Sequence, residues 1–134
     1  MGFAPQLTAR IESRNGVARI ALEGDLDMAT VPVLSDHLGH FEADGVAGIM
    51  LDLRDLTFVD CSGLRIFLAA RERSKSNGHR FILVGATPGA RRLFELTGTK
   101  FLLDEQEAVS LLDRFTRGGD AAVQTEVAGG ESRV

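Results

Sequence analysis

Two short, continuously apolar runs, GIMLDL at 48–53 and RFILVG at 80–85, each lead into a segment with helix-start chemistry, and this pairing constrains the fold more than any other feature. Apolar runs without alternation fit strands covered on both faces, as in parallel sheets. After the first run, SGLRIFLAARERSKSNG places Leu64, Phe67 and Leu68 on one side, then turns polar and cationic and stops at Asn77-Gly78. After the second, TPGARRLFELTG offers Thr87 as cap, Pro88 at the first helical position and Gly98 as stop. Strand, helix, strand, helix in that order is the signature of an α/β domain.

The flanking segments extend the pattern. LTARIES and VARIALEG alternate apolar and polar residues around Asn15-Gly16, a dipeptide suited to the positive φ angles of a type I′ turn, and so read as an antiparallel hairpin. In DMATVPVLSDHLGHFEAD, Val31, Leu34, Leu38 and Phe41 recur at helical spacing behind Thr30 as cap. FLLD reads as a last short strand, and Asp104 with Glu107 resembles a capping box for a helix carrying Ala108, Leu111, Leu112 and Phe115. The expected order is β-β-α-β-α-β-α-β-α: a mixed β-sheet with an N-terminal antiparallel hairpin and then β-α units. Residues 1–115 form the expected domain. Residues 116–134, with two Gly-Gly pairs and no sustained apolar period, are expected to be a flexible tail.

Composition narrows the function. A chain of 134 residues with 44% hydrophobic content and eight Phe supports one core, and its formal charge of −4, with no cationic cluster, argues against a nucleic-acid partner. No stretch has the roughly 18 consecutive apolar residues of a membrane span, and the start MGFAPQLTAR is unlike an export signal, so a cytoplasmic protein without membrane insertion is expected. Cys61 is the single cysteine, and His37, His40 and His79 are scattered without ligand spacing. No metal or cofactor is expected.

In α/β sheets, partners and ligands gather at the carboxyl ends of strands, where helix N-termini present free N–H groups. The turn Asp60-Cys61-Ser62-Gly63 occupies such a place, with Asp60, Cys61 and Ser62 all candidate caps for a helix starting near Gly63. Gly63 would let another backbone approach. GDLDMAT, with Asp25 and Asp27, and GATPGA should lie at the same edge. Arg65 is the cation nearest the turn. The acids lack a neighbouring His or Lys in this layout, so acid/base catalysis is not expected and the chain is read as a non-enzyme.

ALEGDLDMATVPVL, LDLRDLTFVDCSGLRIFLAA and FILVGATPGARRLFELTG, in this order and spacing, resemble a STAS domain of the anti-sigma factor antagonist type, over about residues 7–115. The resemblance implies a partner-switching regulator that binds an anti-sigma factor, usually a serine kinase of the histidine-kinase-like ATPase fold, and so releases a sigma factor. A serine phosphatase completes such a cycle. The family's turn reads Asp-Ser-Ser/Thr-Gly with the phosphate on the first Ser, a position held here by Cys61. Ser62 matches the second hydroxyl, Asp60 the leading acid, Gly63 the glycine, and Asp27 an acid near the partner's nucleotide.

The expected partner-binding set is therefore Asp25, Asp27, Thr30, Asp60, Cys61, Ser62, Gly63 and Arg65, with Ser62 the phosphorylation candidate. Three readings of Cys61 stay open: an inert stand-in for Ser, a redox handle, and a lock holding the binding-competent state. For Ser62, helix cap and phosphoacceptor both stand, and Asp25 and Asp27 equally suit turn roles. The expected function is anti-sigma factor antagonism. The alternative is a STAS subunit of a lipid- or anion-transport assembly that binds an ATPase or channel partner. Monomer and weak dimer are both open.

Overall fold

The computed structural model describes residues 6–117 and the backbone of residues 122–129. β1 (Gln6–Arg14) and β2 (Val17–Leu26) form the antiparallel hairpin, turning through Asn15 and Gly16 at φ 53° and 78°, the two positive values that a type I′ turn requires. Then follow α1 (Val31–Ala43), β3 (Gly48–Val59), α2 (Cys61–Asn77), β4 (Arg80–Val84), α3 (Pro88–Thr97) and α4 (Glu105–Arg117). β2, β3 and β4 run parallel, as the unbroken apolar runs imply.

The two sheet faces are covered differently. On one, Ala9, Ile11, Ile20, Leu22, Leu51, Leu53 and Leu83 pack with Leu34 and Leu38 of α1, Phe67 of α2 and Phe94 of α3. On the other, Val17, Met50 and Ile82 receive Leu111 and Phe115 of α4. Three helices thus cover one face and one covers part of the other.

Two expectations are corrected. FLLD is not a strand: Lys100–Leu102 is a 3-10 turn, with the Leu102 N–H on Thr99 O at 3.0 Å and the Leu103 N–H on Lys100 O at 2.9 Å. Curling this way sinks Leu102 into the main core, which an extended segment of three apolar residues could not do as cheaply. The tail expectation fails for Ala122–Gly129, which forms β5, antiparallel to β1, in a sheet ordered β4-β3-β2-β1-β5. Its AVQTEVAG sequence places β-branched residues at alternate positions, and without it β1 would be an edge of unpaired N–H and C=O groups. α4 delivers the chain there. Asn15 and Arg114 exchange side-chain to carbonyl hydrogen bonds, each 3.1 Å, and the Arg14 guanidinium lies 5.5 Å from the Phe115 ring centre. The rest of the expected tail, 118–121 and 130–134, lies outside the described residues.

β3 reaches the site by bending. Opposite β2 its register slips between Ala21 and Glu23 and again between Gly24 and Asp25, each time by one extra residue on β3. Such bulges turn a strand and re-aim its side chains. At the first, Asp52 Oδ1 accepts the Arg54 N–H at 3.0 Å; at the second, the Thr57 hydroxyl donates to Gly24 O at 2.8 Å.

Candidate partner-docking site

The end of β3 presents Asp60 as the N-cap of α2. Its Oδ1 accepts the Ser62 N–H at 2.8 Å and the Gly63 N–H at 3.3 Å, satisfying two of the donors that every helix start leaves free. Of the three candidate caps Asp60 takes the role, so the cap reading of Ser62 falls away: its N–H is a donor in the cap and its side chain is released for other uses. α2 begins at Cys61, two residues earlier than expected, and Cys61 is exposed.

The loop from β2 to α1 is built in the same manner. Asp27 Oδ1 accepts the Ala29 N–H at 2.9 Å and the Thr30 N–H at 3.2 Å, while the Thr30 hydroxyl donates to Asp25 O at 2.8 Å and accepts the Asp27 N–H at 3.1 Å. Thr30 is fully buried by this, so its expected place on the docking surface is corrected to that of an internal latch. Asp25 and Asp27 remain half-exposed. The Asp60 N–H on Leu26 O, at 3.3 Å, joins the loop to the turn.

Gly63 also has an internal reason. It is buried, and a Cβ there would stand 2.6 Å from Val59 Cγ2 and 2.9 Å from Leu26 Cδ2. The glycine lets α2 close on β2 and β3; the expected approach of a partner backbone is not what requires it. The GATPGA segment lies at this end too: Thr87, Gly89 and Ala90 line a cleft of about 240 Å³ with Thr57, Phe58 and Val59.

The two loops enclose a shallow groove of about 360 Å³ lined by Met28, Val31, Pro32, Ser62, Arg65 and Ile66. Met28 is 77% exposed and Phe58, across the turn, 51%. Both were missed in the sequence, where the only signal was an apolar residue inside each of the acidic stretches DLDMAT and TFVD. Arg65 is exposed and makes no ion pair among the described residues. The arrangement is a rim of acids and one cation around apolar contact points, the composition of a protein-docking patch. Among the described residues no cluster of His, Cys, Asp or Glu could hold a metal ion, and no helix is long and apolar enough to cross a membrane.

A STAS domain family model matches residues 8–110, spanning the hairpin, the site and the first six residues of α4. The chain belongs to the STAS domain family. A similar curated protein, the anti-sigma-B factor antagonist of Staphylococcus aureus, is 29% identical over 92 residues, covering 69% of this chain and 85% of the relative. The protein of that name from Staphylococcus epidermidis is 26% identical over the same shares. Among solved structures, an anti-sigma factor antagonist from Mycobacterium paratuberculosis superposes with a TM-score of 0.66 at 25% identity, covering 80% of this chain and 94% of that one. The anti-sigma factor antagonist SpoIIAA in its unphosphorylated form gives 0.66 at 23%, covering 78% and 96%, a likeness of fold.

Proposed function

We propose that this STAS domain is an anti-sigma factor antagonist, a non-enzymatic cytoplasmic regulator that docks on a kinase-fold anti-sigma factor and so frees a sigma factor for transcription. The observation carrying this reading is the joining of the Asp60 turn to the Asp25–Asp27 loop around an exposed apolar groove, in a chain whose relatives carry that name. Asp25, Asp27 and Asp60 provide the acidic rim, Arg65 a cation, and Met28 the apolar anchor. Regulation is assigned to Ser62, which lines the groove. A phosphate there adds about −1.5 to −2 charge beside three carboxylates, which opposes docking by a partner matched to the unmodified surface, while the α2 N-terminus tolerates the dianion within the fold. A serine phosphatase would reset it.

The test is reconstitution with the anti-sigma factor of the same organism. Adding this chain to the anti-sigma/sigma complex is expected to release the sigma factor and restore transcription from its promoter; an unchanged complex overturns the reading. Phosphopeptide mapping after incubation with the anti-sigma factor and ATP is expected to place the phosphate on Ser62. Phosphate found only on Thr57 or beyond residue 117 removes the regulatory half.

A further inference from the structure

Which groups of β1 face its two neighbours follows from the hairpin. Arg14 and Val17 flank the two-residue turn and stand opposite each other, so they form a hydrogen-bonded pair. Bonded and non-bonded pairs alternate along an antiparallel ladder. Thr8, Arg10, Glu12 and Arg14 therefore direct their backbone N–H and C=O groups at β2, and Leu7, Ala9, Ile11 and Ser13 direct theirs outward. The outward set meets Ala128, Glu126, Gln124 and Ala122 of β5.

The same outward edge is complementary to itself. Laid antiparallel on a second β1 about a two-fold axis at Ile11, Ile11 faces Ile11, Ala9 faces Ser13, and Arg10 faces Glu12 in both directions. Arg10 and Glu12 then occupy non-bonded positions, where facing side chains are nearest and opposite charges stabilise. Moving the axis to Arg10 keeps the hydrogen bonds but sets Arg10 against Arg10, so charge selects the first register. Arg10 is exposed and makes no ion pair among the described residues, and Glu12, held by Arg19 at 2.7 Å, is fixed in place to receive it.

We infer that the outer edge of β1 is a pairing surface for a second copy of this chain, and that the C-terminal segment, by occupying it as β5, keeps the chain monomeric. β5 makes eight residue pairs with β1, from Gln6 with Gly129 to Ser13 with Ala122. The self-pairing register spans Thr8 to Arg14, one pair fewer, and an intermolecular contact also loses translational freedom. Occupation from within therefore wins while β5 is intact. With β5 displaced, the two hairpins join into a continuous sheet of eight strands, four from each copy.

The register gives a selective test in the full-length chain. Pro lacks the N–H a ladder needs, so Gln124→Pro with Glu126→Pro removes two donors aimed at Ile11 and Ala9, whereas Thr125→Pro removes one aimed away from β1. By light scattering the double variant is expected to move from 14.4 kDa to twice that mass at high micromolar concentration, with wild type and Thr125→Pro staying monomeric. Adding Arg10→Glu, which sets acid against Glu12, is expected to return the double variant to monomer. In wild-type hydrogen exchange, the Leu7, Ala9, Ile11 and Ser13 amides are expected to be protected. Retained protection of the β3 amides checks folding of each variant. A folded double variant that stays monomeric, a dimer of Thr125→Pro, a dimer indifferent to Arg10→Glu, or unprotected outward amides in the wild type would each overturn the inference.

Discussion

Arg19 Nη2 lies 2.5 Å from Asp52 Oδ2, binding the first turn-side residues of β2 to β3 through a carboxylate that is only 3% exposed. The same carboxylate accepts the Arg54 N–H within the first bulge, so one acid both joins two parallel strands and holds the bend that leads to the docking turn. Asp52→Ala would leave the Arg19 charge over the sheet with Glu12 as its remaining partner. Removing one member of a buried pair costs roughly 3–5 kcal/mol; because Arg19 is 23% exposed and keeps Glu12, about 2–3 kcal/mol is expected. Urea unfolding measures it, and Arg19→Met in the Asp52→Ala background is expected to recover part of the loss. A loss of under about 1 kcal/mol would contradict the bracing role.

The Asp60 cap separates two functions that share four residues. Asp60→Ala is expected to cost about 1 kcal/mol through the two released N–H groups, and Asp60→Ser to restore most of it. Ser62→Ala, which leaves the Ser62 N–H in the cap, is expected to shift stability by less than about 0.5 kcal/mol. Equal losses at both positions would mean that the Ser62 hydroxyl is structural after all and is not held in reserve for modification.

Gly63→Ala discriminates packing from docking. The added methyl would enter the space of Val59 and Leu26, and overpacking of this kind costs roughly 1–3 kcal/mol. Val59→Ala supplies room, so the two changes together are expected to be less harmful than the sum of the separate losses, a coupling that a double-mutant cycle in urea reads directly. Unchanged stability for Gly63→Ala, with weakened partner binding, would return the glycine to the docking surface.

What could be read from the sequence was local. Asn15-Gly16, Thr87 as the α3 cap and Asp104, whose Oδ1 accepts the Glu107 N–H at 3.1 Å, each settle their geometry within a few residues, and the structure has all three where the sequence placed them. The misread elements depend on distant neighbours. FLL becomes a 3-10 turn because Leu102 finds the core beside α2 and α3, and residues 122–129 become a strand because β1 has an open edge when α4 ends beside the hairpin. Thr30 sat correctly at the start of α1, yet which way its hydroxyl turned was decided by the Asp25 carbonyl five residues back. The bulges of β3, invisible in its apolar pattern, determine that Phe58 faces outward.

Met28 offers the most direct separation of binding from folding. Its side chain is 77% exposed beside the groove formed with Pro32, Ser62, Arg65 and Ile66, so little of the fold depends on it. Met28→Asp is expected to change stability by no more than about 0.5 kcal/mol. At an interface centre, however, truncating an apolar anchor typically costs about 2 kcal/mol, roughly a thirtyfold weaker complex, and a carboxylate in its place must be desolvated on docking, which weakens binding further. Calorimetric titration against the anti-sigma factor reads the loss, with Leu112→Asp on the outer side of α4 as a comparison whose binding should be unchanged. Equal effects of the two substitutions, or none from Met28→Asp, would move the docking surface away from the Asp60 turn.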